Sequence, residues 1–190
     1  MTDYKLKKLD RFSLPTEIEG ERIIIKQRTH EYDEELWKLI DGSRDFLRQY
    51  LYWVDGTRSL DNVRDVTDMF MKNFAEQSSF EYVFLDKATG KLVGAGGVIA
   101  ISYDNHNAEF GYYLDKNATG HGYITDFVQV VGKELFDRGI HRLVIRCDVN
   151  NTPSAAVAER CGFILEGIMK DAALAYGEYR DHKLYAKINR

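Results

Sequence analysis

Apolar residues recur along this chain with two periods, and the changes of period outline its elements. The run "ERIIIKQR" (21–28) is short and dense in β-branched residues, as a buried strand is. "EYDEELWKLIDG" (31–42) has helical spacing and closes on Gly42. Val63, Val66, Phe70 and Phe74 predict a second helix from about residue 60 to 77, with Ser59 placed to cap it. "FEYVFLD", the turn "KATGK", "LVGAGGVIAISY", the turn "DNHN" and "AEFGYYL" then predict an antiparallel meander of about three strands. The clearest helix follows, with Ile124, Phe127, Val128, Val131 and Leu135 on one face and Gly139 at its stop. In "HRLVIRCDV", Leu143, Ile145, Cys147 and Val149 alternate as on one face of a strand. "NNTPSAAVAERCGF" predicts a helix with Pro153 near its first turn and Gly162 at its end. "FILEGIM" and "HKLYAKI" read as closing strands. The strand-helix-strand unit over 107–149 requires a right-handed crossover and locally parallel strands, so the expected fold is a mixed α/β sheet with helices upon it.

Composition narrows the picture. A chain of 190 residues, 44% hydrophobic and 29% charged, suits one domain with a real core and argues against disorder. A net charge of −4 argues against an extensive nucleic-acid footprint, so an anionic ligand needs a local positive site. Cys147 and Cys161 are too few for a disulfide framework, and neither they nor the histidines show metal-ligand spacing. No signal-peptide pattern or apolar run of membrane-spanning length appears, and the expectation is a soluble cytoplasmic protein with no membrane or metal partner.

The stretch "LDKNATGHGYITDF" (114–127) holds the first chemical signal. A strand that enters a helix through Gly120-x-Gly122 leaves backbone N–H groups unpaired, and glycine lets a ligand approach them. Phosphate is the usual guest of such a terminus. A helix terminus contributes only about 0.3–1 kcal/mol, so other contacts must help. The Gly-Lys-Ser/Thr ending of a Walker loop is absent, and Thr125 stands where a dinucleotide fingerprint needs its third glycine. Taken alone, the two glycines serve equally well as a plain turn.

The wider stretch "AEFGYYLDKNATGHGYITDF…HRLVIRCDVNNTPSAAVAERCGFILEGIMKDA" resembles the GNAT superfamily of N-acetyltransferases. It looks most like the RimJ/RimL branch, which acetylates ribosomal-protein N-termini. "SRDFLRQYLYWVD" (43–55) and "YGEYRDHKLYAKI" (176–188) resemble the same branch, so the likeness spans roughly 21–188. It implies a single acetyltransferase domain over 1–190, with 1–20 an N-terminal extension. The implied sheet is mixed, of about seven strands flanked by about four helices, and splayed between strands four and five. It implies acetyl-CoA as cosubstrate and no metal. The loop Asn117, Thr119, Gly120, His121, Gly122 and Tyr123 would hold the pyrophosphate, and Tyr112, Tyr113 and Leu114 would pair with the pantetheine arm. The superfamily usually begins this loop with Gln or Arg; here Asn117 and Thr119 stand in those places, leaving Lys116 and His121 to supply charge.

Acetyl transfer needs a neutral amine, an oxyanion donor and a proton for the leaving thiolate. The backbone N–H near Tyr113 and Leu114 is the expected oxyanion donor. In "NTPS", Asn151 and Ser154 match the family's Asn-x-x-Ser, which implies that Asn151 contacts pantetheine and Ser154 protonates the sulfur. Simple helix capping explains the same residues. For the base, Glu109 lies on the right strand, although an acidic residue there equally serves as surface or as an arginine's partner. The branch often carries a Glu where this chain has Ala173, leaving Glu178 and Asp181 as fallbacks. Cys147, Cys161 and Trp37 read as core. Tyr50 and Trp53 are expected either to line the acceptor pocket or to pack. The resemblance implies as acceptor a protein N-terminus or a small amine such as a polyamine or aminoglycoside, and a catalytically silent CoA-binding domain is the rival class. A homodimer is left open. An α-amine, with a pKa of about 7.7–8.0, costs roughly 1–1.4 kcal/mol to neutralise at pH 7, against roughly 4.6 for lysine, so a weak base suits an N-terminus best.

Overall fold

The computed structural model describes residues 8–190; the first residues of the expected 1–20 extension lie outside the described residues. In chain order the elements are β1 (Glu17–Glu19), β2 (Ile23–Gln27), α1 (Asp33–Gly42), α2 (Arg44–Leu47), α3 (Leu60–Ala75), β3 (Phe80–Asp86), β4 (Leu92–Ser102) and β5 (Asn107–Leu114). They continue with α4 (Tyr123–Asp137), β6 (Arg142–Asp148), α5 (Thr152–Arg160), β7 (Ile164–Ala175) and β8 (Glu178–Ile188). The strands form one eight-stranded sheet in the order β1-β2-β3-β4-β5-β6-β8-β7.

The strand beyond the expected seven is β1, which pairs Ile18 with Ile25 inside the region assigned to the extension. Three residues are too short to show a period, and the pairing is a tertiary fact. The helix beyond the expected four is α2, a single turn. The two closing strands run well past the apolar motifs that announced them and form a long hairpin.

Alternation on β3 sorts side chains between two layers. Phe80, Tyr82 and Phe84 pack with Phe127, Val131 and Leu135 of α4. Val83, one step out of phase, packs with Leu36 and Ile40 of α1 and Val63 of α3. Helix α3 starts as expected, with the Ser59 hydroxyl accepting the Asn62 amide at 3.3 Å. The buried Asp126 carboxylate near the start of α4 accepts the amides of Glu21, Arg22 and Ile23 at 3.1, 2.7 and 3.2 Å, tying the β1–β2 turn to that helix.

The feature that makes room for a site is the one parallel pairing among the described residues. Strands β5 and β6 are in register only from Asn107–Arg142 to Phe110–Ile145. Beyond that point they diverge, while β5 stays bonded to β4 through Leu114 and β6 to β8 through Asp148. These are strands four and five of the sequence count, which lacked β1.

Candidate active site

Two cavities meet at the free half of β5 and share Leu51, Tyr112 and Tyr113. The first, of about 460 Å³, runs between the N-terminal ends of α4 and α5. The second, of about 720 Å³, lies under α3 on the α1 side of the sheet.

At one end of the first cavity, Gly120 and Gly122 have φ of +83° and +79°, a left-handed backbone that side chains disfavour. Gly122 is the N-cap of α4 and offers no capping side chain. The amides of Tyr123, Ile124 and Thr125 precede the first intrahelical bond, from the Asp126 amide to the Gly122 carbonyl, and therefore remain available to an anion. Of the residues expected in the loop, Thr119, Gly120, Gly122 and Tyr123 line this cavity; Asn117 and His121 do not. The Asn117 amide turns back to Asp115 at 2.7 Å, and the His121 ring stacks on Tyr123 with centroids 5.4 Å apart. Lys116 is also drawn away, donating to the Gly42 carbonyl at 2.6 Å. Positive charge comes instead from Arg160, which lines the cavity, and from Arg22. A Cβ on Gly122 would lie 3.3 Å from the Arg22 Nε. No local motif announces either arginine, since one is brought in by α5 and the other by the β1–β2 turn.

Further along, Tyr112, Tyr113 and Leu114 present the β5 edge that β6 has left, free to pair with an extended ligand. Asn151 caps α5, its Oδ1 accepting the Ser154 amide at 3.2 Å. Ser154 itself is therefore not the cap. Its hydroxyl lies 3.0 Å from the Tyr112 hydroxyl, a contact between residues 42 apart. Burial raises the Tyr112 phenol above its ordinary pKa, with the Ser154 bond acting the other way, so it stays protonated and able to donate. Burial likewise pushes up both thiols, so Cys147 and Cys161 are neutral packing groups, as expected.

The second cavity has apolar walls that include Trp53, Val66, Met69, Phe70 and Ile99. Trp53, 44% exposed, meets Tyr113 edge-on at 5.3 Å and lines this cavity. Tyr50, expected beside it, lines the first cavity instead, where its hydroxyl donates to the Asn150 carbonyl at 3.1 Å. In the wall of the second cavity sits Glu81 of β3, only 6% exposed. Its Oε1 has no hydrogen-bond partner among the described residues, and neither has the buried Tyr113 hydroxyl in the same cavity. Burial pushes the Glu81 carboxyl up to about 8, with the Arg28 guanidinium opposing the rise. Burial raises Tyr113 to about 12. Arg28 is held in place by Thr67 Oγ1 at 3.0 Å and the Val63 carbonyl at 3.2 Å. Opposite Glu81 on β4 stands Gly97, where a Cβ would come 2.1 Å from the Phe80 carbonyl and 2.9 Å from the Glu81 Cδ.

Sequence reasoning passed over Glu81 because an acid in "FEYVFLD" looks like the solvent side of a half-buried strand. Only the sheet order puts α1 and α3 over that side. The expected base, Glu109, lines neither cavity, and its carboxylate accepts the Arg146 Nε at 2.7 Å. The fallbacks are engaged too: Glu178 pairs with Arg180 at 3.4 Å and Asp181 with Lys170 at 2.7 Å. Ala173 lies in β7 beyond a register shift.

Among the described residues no group of three or more His, Cys, Asp and Glu is placed to hold a metal ion, and no helix is long and apolar enough to cross a membrane. The family model described as an acetyltransferase (GNAT) domain matches residues 22–164. The ribosomal-protein-serine acetyltransferase of Escherichia coli (strain K12) is 32% identical over 154 residues, 80% of this chain and 85% of that protein. The crystal structure of the microcin C7 self-immunity acetyltransferase MccE with acetyl-CoA and AMP superposes with a TM-score of 0.88 at 27% identity, covering 93% of this chain and 98% of that one. The ribosomal L7/L12 α-N-protein acetyltransferase RimL in complex with coenzyme A gives a TM-score of 0.85 at 28% identity, covering 92% and 96%.

Proposed function

The chain belongs to the GNAT acetyltransferase family, and from that premise we propose that it moves an acetyl group from acetyl-CoA to a protein's N-terminal α-amine by direct attack in a ternary complex. A ribosomal protein in the cytoplasm is the favoured acceptor, and the whole chain acts as one domain. The observation that carries this reading is the meeting of two cavities at Tyr112 and Tyr113. A cosubstrate in one cavity and an amine in the other reach each other without any residue being acylated in between.

Acetyl-CoA supplies an acetyl group activated as a thioester. The amides of the Thr119–Tyr123 turn hold its pyrophosphate, with Arg160 and Arg22 supplying charge. The β5 edge from Tyr112 to Leu114 pairs with the pantetheine arm, and the free side-chain N–H of Asn151 supports it. The backbone N–H near Tyr113 and Leu114 donates to the carbonyl oxygen as it gains charge. The Ser154–Tyr112 hydroxyl pair gives the sulfur its proton.

The apolar second cavity favours a second acceptor class, a small amine carried on an apolar body. A polycation such as spermidine suits those walls poorly. The test is release of free thiol from acetyl-CoA with a panel of N-terminal peptides, polyamines, aminoglycosides and ring-bearing amines. Peptides matched except for a free α- or ε-amine are included at pH 7, where the α-amine peptide is expected to react faster. Equal rates for the two would count against an N-terminal acceptor. Acetyl-CoA binding with no thiol release from any amine would establish the silent CoA-binding domain instead.

A further inference from the structure

Resting on the acetyltransferase reading, we infer that Glu81 is the base that takes the acceptor's proton, and that the amine is held between its carboxylate and the Tyr113 hydroxyl. Both side chains line the second cavity, and each leaves a buried polar atom without a partner among the described residues. Buried polar atoms are normally paired, so two orphans on one cavity point to a ligand that completes them. A carboxylate accepts and a phenol both accepts and donates, which matches a primary amine in its charged and neutral forms. Tyr113 also lines the cosubstrate cavity, so an amine beside it stands at the junction.

The charged and titratable groups around Glu81 are Arg28, Tyr113 and, across the cavity on α3, Asp65. Arg28 is fixed by Thr67 and Val63, and it limits how far burial can suppress the carboxylate. The result is a carboxyl at about 8, beside an acceptor α-amine at about 7.7–8.0. Proton transfer between them is close to thermoneutral, the condition under which a base works best near neutral pH. A lysine side chain, at about 10.4, is badly matched to it.

The step balances as follows. The ammonium gives one proton to Glu81, and the freed lone pair attacks the thioester carbonyl. The C–N bond forms, the C–S bond breaks, and the thiolate leaves with the bonding pair. It takes a proton from the Tyr112–Ser154 hydroxyls, which a second proton shed by the nitrogen replaces. Glu81 then returns its proton to solvent. Ammonium plus thioester gives amide, free thiol and one proton.

Glu81→Gln keeps the shape and removes the basicity. It is expected to lower kcat on the order of 100-fold, with acetyl-CoA affinity unchanged because Glu81 lies outside that cavity. Glu81→Asp should recover part of the loss. With a lysine-type acceptor, whose amine titrates at about 10.4, wild-type turnover should still show an inflection at about 8 from Glu81, and Glu81→Gln should lose it. Wild-type activity with Glu81→Gln within about threefold of it, below the smallest contribution of a general base, overturns the inference. No thiol release by the wild type overturns the acetyltransferase reading itself. Carbon-13 NMR of the wild-type protein reads the Glu81 carboxyl without any variant or acceptor, and titration in the ordinary glutamate range would also refute the inference.

Discussion

Asp126→Ala tests whether the β1–β2 turn and the anion-binding turn form one unit. The carboxylate accepts from three successive amides, Oδ1 from Glu21 and Oδ2 from Arg22 and Ile23. Hydrogen bonds to a charged group contribute about 1.5–3 kcal/mol each, and a buried donor left alone costs about 1–3. The three share one acceptor, so their contributions do not add in full. The Ile23 amide is buried, while those of Glu21 and Arg22 are only partly so and recover water when the carboxylate goes. The expected loss is therefore about 3–5 kcal/mol, against a total of about 5–15 for a domain. Asp126→Asn keeps one oxygen, which can still serve Arg22 and Ile23, and sets its NH₂ against the Glu21 amide. Its loss should be smaller, about 1–2 kcal/mol. Urea unfolding measures both. Because Arg22 packs on Gly122, acetyl-CoA affinity measured by calorimetry should fall in the same order. An Asp126→Ala loss under about 1 kcal/mol, the size of one ordinary hydrogen bond, would show that water replaces the carboxylate and that the turn does not depend on it.

Three further expectations use the same geometry. Gly122→Val should weaken acetyl-CoA binding, because φ is +79° and the new side chain meets Arg22 and the ligand's approach; unchanged calorimetric affinity would remove this turn from the site. Ser154→Ala should lower kcat by about 10–100-fold, at or below the usual range for a general acid, with acetyl-CoA affinity nearly intact. The cap is Asn151, so its melting temperature should change little, and a destabilised variant with full turnover would make Ser154 structural. Glu81, whose folded value of about 8 lies above the ordinary glutamate value of 4.5, binds a proton on folding between those limits. Its contribution to stability is complete below the lower value and declines as pH rises to the upper one, by roughly 4–5 kcal/mol in all. Glu81→Gln should therefore gain stability over the wild type from pH 5 to pH 8 in urea unfolding, and a constant difference would refute the buried, proton-binding carboxyl.

Elements whose signals are local could be read from the chain alone. The five apolar positions of α4 lie within three turns, and the Gly120–Gly122 turn announces a helix that begins with open amides. The parallel direction of β5 and β6 was legible too, since a helix between two strands leaves few ways to connect them, whereas their register came from the structure. The stretch from Ala108 to Ala172 then carried the family, and with it the roles expected of Asn151, Ser154 and Tyr112 to Leu114. Tertiary structure decided everything that depends on which side of a strand is covered. Nothing in "ERIIIKQR" says that Arg22 will lie against Gly122, or that Arg28 will be buried between α3 and β3. Glu109 and Glu81 look alike on paper, each an acid in an alternating strand. Sheet order gave one an arginine at the surface and put the other under two helices, with an oxygen unpaired among the described residues. Alternation along a strand is a local property of the backbone, whereas the layer that closes over each face is set by distant segments, and it is that layer which desolvates a carboxyl and raises its pKa.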